Sequence, residues 1–588
     1  MFDSKETSLD GFYYDRHLRI YRRSEIDTFN YSDGEKEESY IEVAIKKSSD
    51  LSDDSEELMS YAKDWPSFYH LGVGRSAICK ALDQFKNRKI LEIGSGCGAI
   101  TRYLAEMACS VDAIEGSLKR AGITSARCRD LNNVRVFAAN AQQINFAEKY
   151  DVVTLIGVLE YAPVFSNPML TKEEAVGHIL FKARTLLNEN GVLIIAIENK
   201  YGLKYWNGCP EEHTGIMYDG IHGYPIDRSP ITFSRCKLAK LLTEAGFIDC
   251  QFYFCFPDYK FARTIISENA NCSDDIAGWI KTPFPGNGLA RKYTFHEGLA
   301  LRTLCEDGLA DYYANAFLVV ASNRTLQRPD WALKYFSLNR KKAFRTITTA
   351  YIAPERCIEK KRIIPAKGPA NLHWLEKEIT HSEYTDKWHN GRLWLNNLMS
   401  AVWNDKYMIR IVDIIKEYNA YLLKEYFVGL HDNDGFPLVN GNALDFMISN
   451  IIVDKENRKM FFDKEWVVNA PIPADFVVWR CLLSDLVEPN LPWFKKLRAN
   501  PNKLVFRIME AVYPNYNRAR HAKNAYAEKM LQQAIGMQIN NYAWNSYSER
   551  RNYFWQIAFW LLGKCPNSSK KKIQMLYRII MKWKYPAR

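Results

Sequence analysis

Lys89-Ile-Leu-Glu-Ile-Gly-Ser-Gly-Cys-Gly98 reads as an apolar strand that runs straight into three glycines and then into a helix-forming segment, Ile100 to Ala108. Glycines at this spacing let the backbone approach a ligand closely, and the helix N-terminus that follows favours electron-rich groups. A second strand, Ser110 to Ile114, ends in Glu115. A βαβ nucleotide-binding unit carries there, about 20 residues after its first glycine, the carboxylate that grips a ribose. Gly94-x-Gly96-x-x-Ala99 also satisfies the dinucleotide fingerprint, so an NAD-linked oxidoreductase is the competing reading. Val134 to Ala138, Asp151 to Ile156, Gly191 to Glu198 and Phe247 to Phe256 read as further strands, and Lys172 to Leu187 and Ser234 to Ala245 as helices. Strands alternating with helices predict a doubly wound α/β sheet.

Glu92 stands two residues ahead of the first glycine, an odd place for an acid at the buried end of a dinucleotide-fold strand. With it, the stretch resembles the E/D-x-G-x-G-x-G motif of class I S-adenosylmethionine-dependent methyltransferases. That resemblance implies a Rossmann-like domain with S-adenosylmethionine as cofactor. It assigns Glu92 to the methionine portion, Gly94, Ser95, Gly96 and Gly98 to the backbone cradle, Glu115 to the ribose, and Asn140 and Ala141 to adenine. The longer match is similar to methyltransferases encoded with bacterial polysaccharide genes. It is carried by Leu91 to Leu104, Glu115-Gly-Ser, Arg120-Ala, Glu198-Asn-Lys-Tyr-Gly-Leu-Lys-Tyr205, Glu211-Glu-His-Thr-Gly215 and Phe256-Pro-Asp-Tyr-Lys260. Some of those relatives join a methyltransferase to a protein-kinase-like domain and terminate O-antigen chains. The resemblance, close over residues 60–270 and looser elsewhere, implies a lipid-linked glycan substrate, glycan-assembly proteins as partners, and a bacterial O-methyltransferase.

At 588 residues the chain is too long for a single hydrophobic core. The expected division is an accessory segment over 1–60, a methyltransferase domain over 61–270, a kinase-like α+β domain over 285–500, and a helical region with a basic amphipathic tail over 501–588. Pro and Gly around Phe284-Pro-Gly-Asn-Gly288 suggest the boundary between the two larger units. In the accessory segment Tyr13 to Arg23 and Tyr40 to Lys46 read as strands, and Ser48 to Glu57 as an acidic loop. Net charge is +11, yet Arg550 to Arg588 holds ten Lys or Arg and no acid, leaving about +1 for the rest. A nearly neutral body argues against a nucleic-acid partner. Tyr553 to Leu562 is largely apolar, and Lys570 to Lys584 sets Lys571, Arg578 and Lys582 opposite Ile573, Leu576, Ile580 and Trp583. That pattern suits a helix lying on an anionic membrane surface, or one docked on the protein itself. Thirteen scattered cysteines without a zinc-like pair fit reduced thiols, and no signal pattern or ~18-residue apolar run is evident. The expected location is cytoplasmic, peripheral at the inner face of the cell membrane.

Two sets of residues are candidates for chemistry beyond cofactor binding. Methyl transfer to a hydroxyl needs alignment and a base. His213, with an unperturbed pKa near 6.5, is the first candidate and Glu160 the second. The other set is Asp445, Asn450 and Asp463, spaced as the catalytic Asp, the Mg²⁺-binding Asn and the Mg²⁺-binding Asp of kinases. ATP and Mg²⁺ are therefore possible additional ligands. Trp331 to Phe336 and Phe344 to Ile352 would form a first hairpin, Lys360 or Lys361 the phosphate-gripping lysine, and Glu376 or Glu378, on a following helix, its partner. No His-Arg precedes Asp445, no Asp-Phe-Gly follows it, and no glycine-rich loop precedes the set, so a non-catalytic scaffold remains the alternative.

Overall fold

The computed structural model describes residues 11–536 apart from 24–31, 33, 145, 227–228, 271–275, 281–290, 292, 367 and 491–499. The expected boundary at 284–288 and both tail segments, Tyr553 to Leu562 and Lys570 to Lys584, lie outside the described residues.

Short runs, mostly rich in β-branched, aliphatic and aromatic residues, form the strands β1 (Tyr13–Asp15), β2 (Ile20–Arg22), β3 (Lys89–Ile93), β4 (Ser110–Glu115) and β5 (Val134–Ala138). They are followed by β6 (Tyr150–Ile156), β7 (Leu187–Glu198), β8 (Asp249–Phe256), β9 (Thr264–Ser267) and β10 (Ala316–Ser322). Then come β11 (Trp331–Ser337), β12 (Thr346–Tyr351), β13 (Cys357–Arg362), β14 (Ala370–Trp374), β15 (Lys377–His381) and β16 (Tyr384–Lys387). Fourteen of these make one sheet in the order β1-β2-β5-β4-β3-β6-β7-β10-β8-β9-β11-β12-β13-β16. From β5 to β7 neighbouring strands are parallel, and the core of β7, Val192 to Ile197, is apolar and buried, as strands covered on both faces are.

β10 was not foreseen. It enters antiparallel between β7 and β8, pairing Ala316 with both Glu198 and Cys255. A dinucleotide-binding sheet runs 3-2-1-4-5-6 in parallel, so this insertion departs from it. It also carries the first sheet past residue 270, the expected end of that unit. The sheet then continues through β9 into β11 and β12, so the expected first hairpin of the second unit is an extension of the same sheet.

The helices start at their caps. Ser117, Thr171 and Ser234 accept backbone N–H bonds at the starts of Leu118–Arg127, Lys172–Thr185 and Arg235–Glu244. Tyr40 to Lys46, expected as a strand, lies within the helix Glu35–Lys47. Its buried face is Glu38, Ile41, Ala44 and Ile45, a 3–4 spacing, and acids open it while lysines close it. The expected acidic loop is partly buried: Asp53 and Asp54 take Lys80, and Asp54 also takes Arg345 beside β12. Glu376 and Glu378, expected on a helix, sit on the β14–β15 hairpin instead, Glu376 in its turn. No helix among the described residues is long and apolar enough to cross a membrane.

Candidate functional site

Where β3 ends, Gly94, Gly96 and Gly98 all adopt left-handed backbone, with φ of 83°, 57° and 81°. Their turn opens a cavity of about 420 Å³ at the carboxyl ends of β3, β4 and β6, within the range of ~300–1,000 Å³ usual for small-molecule sites. Glu92, Gly94, Ser95, Gly96, Glu115, Asn140, Ala141, Glu160 and His213 all line it, so the structure brings nearly every expected methyltransferase residue to one place. Gly98 is not among the lining residues. A Cβ there would stand 3.0 Å from the Thr124 Cα, so its bareness serves helix packing.

Glu115 closes the glycine turn: its carboxylate accepts from the Gly96 N–H (2.7 Å) and the Ser117 N–H (2.9 Å). Asn140 turns its side-chain oxygen to the Gln142 N–H, fixing the short turn that carries Ala141. Glu92 is buried, and its Oε2 has no hydrogen-bond partner among the described residues. A buried carboxylate oxygen without a hydrogen bond at the wall of a glycine-rich cavity fits a cationic ligand group, as the ammonium of S-adenosylmethionine is.

Burial, with Glu115 adding to it, pushes the Glu92 carboxyl up to about 8. A carboxyl raised in the fold contributes stability that is full below its ordinary value of 4.5 and lost as pH rises through about 8. Without cofactor, the protein should therefore lose stability across that interval. Cofactor affinity should rise across it, because Glu92 must give up its proton to meet an ammonium. Calorimetry at pH 7 in two buffers of different ionisation heat would read the released proton. Glu92→Gln should release none, and equal heats for the wild type would contradict this role.

Three separate stretches meet beside the cavity. Glu160, after β6, and Glu212 and His213, from the loop Glu211-Glu-His213, line it, while Glu198, at the end of β7, lies against His213 outside the lining. His213 Nδ1 lies 2.8 Å from Glu211 Oε1, and the backbone N–H groups of His213 and Thr214 both donate to Glu211 Oε2 at 2.7 Å. The ring is thereby held with Nε2 facing Glu160 Oε1 at 3.6 Å and Glu198 Oε2 at 3.8 Å. Behind it, Lys260 pairs with Glu198 and Glu212, and Lys204 pairs with Glu212. Burial alone would lower the His213 pKa, but Glu198, Glu160 and Glu211 outweigh it and hold the value well above 6.5. The unperturbed value expected from sequence does not hold: a ring among three carboxylates keeps its proton. Burial, with Glu198 beside it, raises the Glu160 carboxyl. Lys204 and Lys260 overcome burial at Glu212 and hold it well below the usual carboxylate range.

Several lining residues were missed. Trp65, Tyr69, His70 and Arg75, from and beside the capped helix Trp65–Leu71, line the cavity, as do Tyr161, Glu212, Tyr259 and Lys260, and Arg75 donates to the Lys260 backbone carbonyl at 2.7 Å. The stretches around Glu198, Glu212 and Lys260 stood out in the sequence, but nothing there showed that they converge.

Asp445, Asn450 and Asp463 belong to a different site. The hairpin Ile451–Val453/Lys459–Phe461 forms with its turn at 454–457. Lys360 of β13 is buried and pairs with Asp463 and, at 3.2 Å, with Glu465; exposed Lys361 pairs with Glu359. Asp463 and Glu465 thus take the place expected of Glu376 or Glu378. Asp445 is buried, 3.2 Å from Arg480, with Oδ2 lacking a hydrogen bond among the described residues. Asn450 donates to the Asp445 backbone carbonyl. Asp463 has left-handed backbone, φ 62°, a strain that side chains at functional sites often carry.

Residues 84–246 match the family model described as "Methyltransferase domain". Among solved structures, the chain is similar to the N-methyltransferase NodS from Bradyrhizobium japonicum at 13% identity, covering 43% of this chain and 94% of that one, with a TM-score of 0.24. It is also similar to the CcbJ methyltransferase from Streptomyces caelestis at 14% identity, covering 43% and 90%, with a TM-score of 0.27. A third is a SAM-dependent methyltransferase from Aquifex aeolicus at 17% identity, covering 29% and 79%, with a TM-score of 0.21. No curated protein matched the sequence. Residues 84–246 thus form a methyltransferase domain, and its glycine cradle and two acids fit S-adenosylmethionine.

Proposed function

We propose that this protein methylates an oxygen of a bacterial surface glycan, the end of a lipid-linked polysaccharide. The observation that carries this reading is that the glycine cradle and the Glu160–His213 cluster share one cavity. When bound, S-adenosylmethionine supplies an electrophilic methyl group on sulfur. The chain's own residues hold the acceptor oxygen in line with it and take its proton. His213, kept cationic by its carboxylates, orients the acceptor. Glu160, whose buried Oε2 lacks a hydrogen-bond partner among the described residues, receives the proton. Tyr161, edge-on to His213 with ring centroids 5.5 Å apart, and Tyr259 supply apolar faces on which a sugar would pack. The glycan assignment and its glycan-assembly partners rest on the sequence resemblance; the basic composition from Arg550 onward supports attachment to an anionic membrane face.

A second reading is favoured by the buried pairing of Lys360 with Asp463 near Asp445. A lysine held by an acid on a strained backbone is the arrangement that would grip Mg²⁺-ATP, making the enzyme a kinase that phosphorylates the glycan end before methylation. Labelled S-adenosylmethionine with lipid-linked glycans, with and without Mg²⁺-ATP, tests both. Label on glycan without ATP supports the first reading, and label only with ATP supports the second. Under the second reading Asp463→Ala should abolish the ATP-dependent labelling and any Mg²⁺-dependent thermal shift by ATP. Label on no glycan in either arm would sink both.

A further inference from the structure

We propose that Glu160, Glu198 and His213 form a divalent-cation site at the inner end of the cavity, an inference that rests on reading that cavity as the methyl-transfer site. Their donor atoms lie within 4.8 Å of one another. Two donors each about 2.2 Å from one ion lie roughly 3.1 Å apart at a right angle and about 4.4 Å apart across it. The observed separations of 3.6 and 3.8 Å from His213 Nε2 fall between those limits.

Two further features point to a ligand there. First, the ring is oriented from behind: Glu211 takes Nδ1 and is itself pinned by two backbone N–H groups, which leaves Nε2 directed at the two carboxylates. A carboxylate on the far nitrogen is the usual support of a metal-binding histidine. Second, Glu160 Oε2 and Glu198 Oε2 are buried and without a hydrogen bond among the described residues, although both side chains are almost wholly inaccessible.

Two carboxylates and one imidazole are a hard, oxygen-rich set that suits Mn²⁺ and its neighbours. The ion would take the place of the proton on His213 Nε2 and of that ring's hold on the acceptor, and Glu160 would reach it through Oε1, leaving Oε2 for the acceptor proton. Because Glu160 and His213 line the cavity, the ion would present its open positions to an acceptor oxygen, favouring acceptors with two adjacent oxygens, such as a vicinal diol or a phosphate.

The test uses the full chain, stripped with a chelator, freed of it, and titrated with Mn²⁺ alone, with bound ion read by electron paramagnetic resonance. One tight ion per chain is expected. Its affinity should fall at least ten-fold in Glu198→Gln and in Glu160→Gln, while S-adenosylmethionine affinity stays within a few-fold, showing that both variants fold. Asp463→Ala should keep the ion. Wild-type protein that binds S-adenosylmethionine but no Mn²⁺ at micromolar concentration overturns the cation site and leaves the methyltransferase reading intact. So does Mn²⁺ that is lost in Asp463→Ala and kept in both glutamate variants. Failure to bind S-adenosylmethionine would count against the cavity's methyl-transfer role instead, whatever the metal does.

Discussion

Gly96→Val should cost about a hundred-fold or more in S-adenosylmethionine affinity, equivalent to about 3 kcal/mol, while the fold survives. Gly96 sits at φ 57°, and a Cβ built there meets only His70 Cε1, at 3.7 Å. The neighbouring protein therefore has room for a side chain, and what the branched group fills is the cavity. Left-handed backbone is an added strain for a β-branched residue. Gly94 would be a poorer test, since its Cβ would stand 2.3 Å from Val158 Cγ2 and disturb packing directly. Gly96→Ala, with the strain and little of the bulk, should fall between wild type and valine. Calorimetric titration checks all three, and wild-type affinity in Gly96→Val would contradict the cradle.

Glu212→Ala should destabilise the protein by about 3–5 kcal/mol, the usual effect of removing one partner from a buried ion pair. Glu212 lies between Lys204, whose side chain has no exposure, and Lys260, at 2.8 Å. Without that carboxylate, two buried ammonium groups face each other across one remaining acid, Glu198, which Lys260 already holds. Lys204→Met combined with Glu212→Leu should recover much of the loss, because Lys204 is then no longer left as an unpaired charge and Lys260 keeps Glu198. Denaturant unfolding followed by tryptophan fluorescence reads both variants. A loss below 1 kcal/mol in Glu212→Ala would mean that water reaches these groups.

Much of the cofactor half was legible because local sequence determines it. A strand, a glycine turn, a helix and an acid at a fixed distance are set by backbone geometry over some 25 residues, and Glu92, Gly94, Gly96 and Glu115 meet at the cavity as expected. The acceptor half was less so. His213 was singled out, but its pKa argument failed, since Glu160, Glu198 and Glu211 come from other stretches and only the fold brings them to the ring. β10 was hidden for a related reason: an apolar run of six residues, Ala316 to Ala321, shows no partner, and its place between β7 and β8 is a tertiary fact. The helix Glu35–Lys47 was misread because a polar–apolar alternation across Tyr40 to Lys46 overlaps a helical repeat over so short a span. Lys360 over Lys361 was decided by the pleat of β13, which turns alternate side chains to opposite faces.

The central claim is that the cavity above β3 holds S-adenosylmethionine. One calorimetric comparison tests it: full-length wild-type protein titrated with S-adenosylmethionine and, separately, with NAD. Micromolar binding of S-adenosylmethionine at one site per chain, with no heat from NAD, is the predicted result. Micromolar NAD binding without S-adenosylmethionine binding would contradict it and return the glycine turn to the dinucleotide reading.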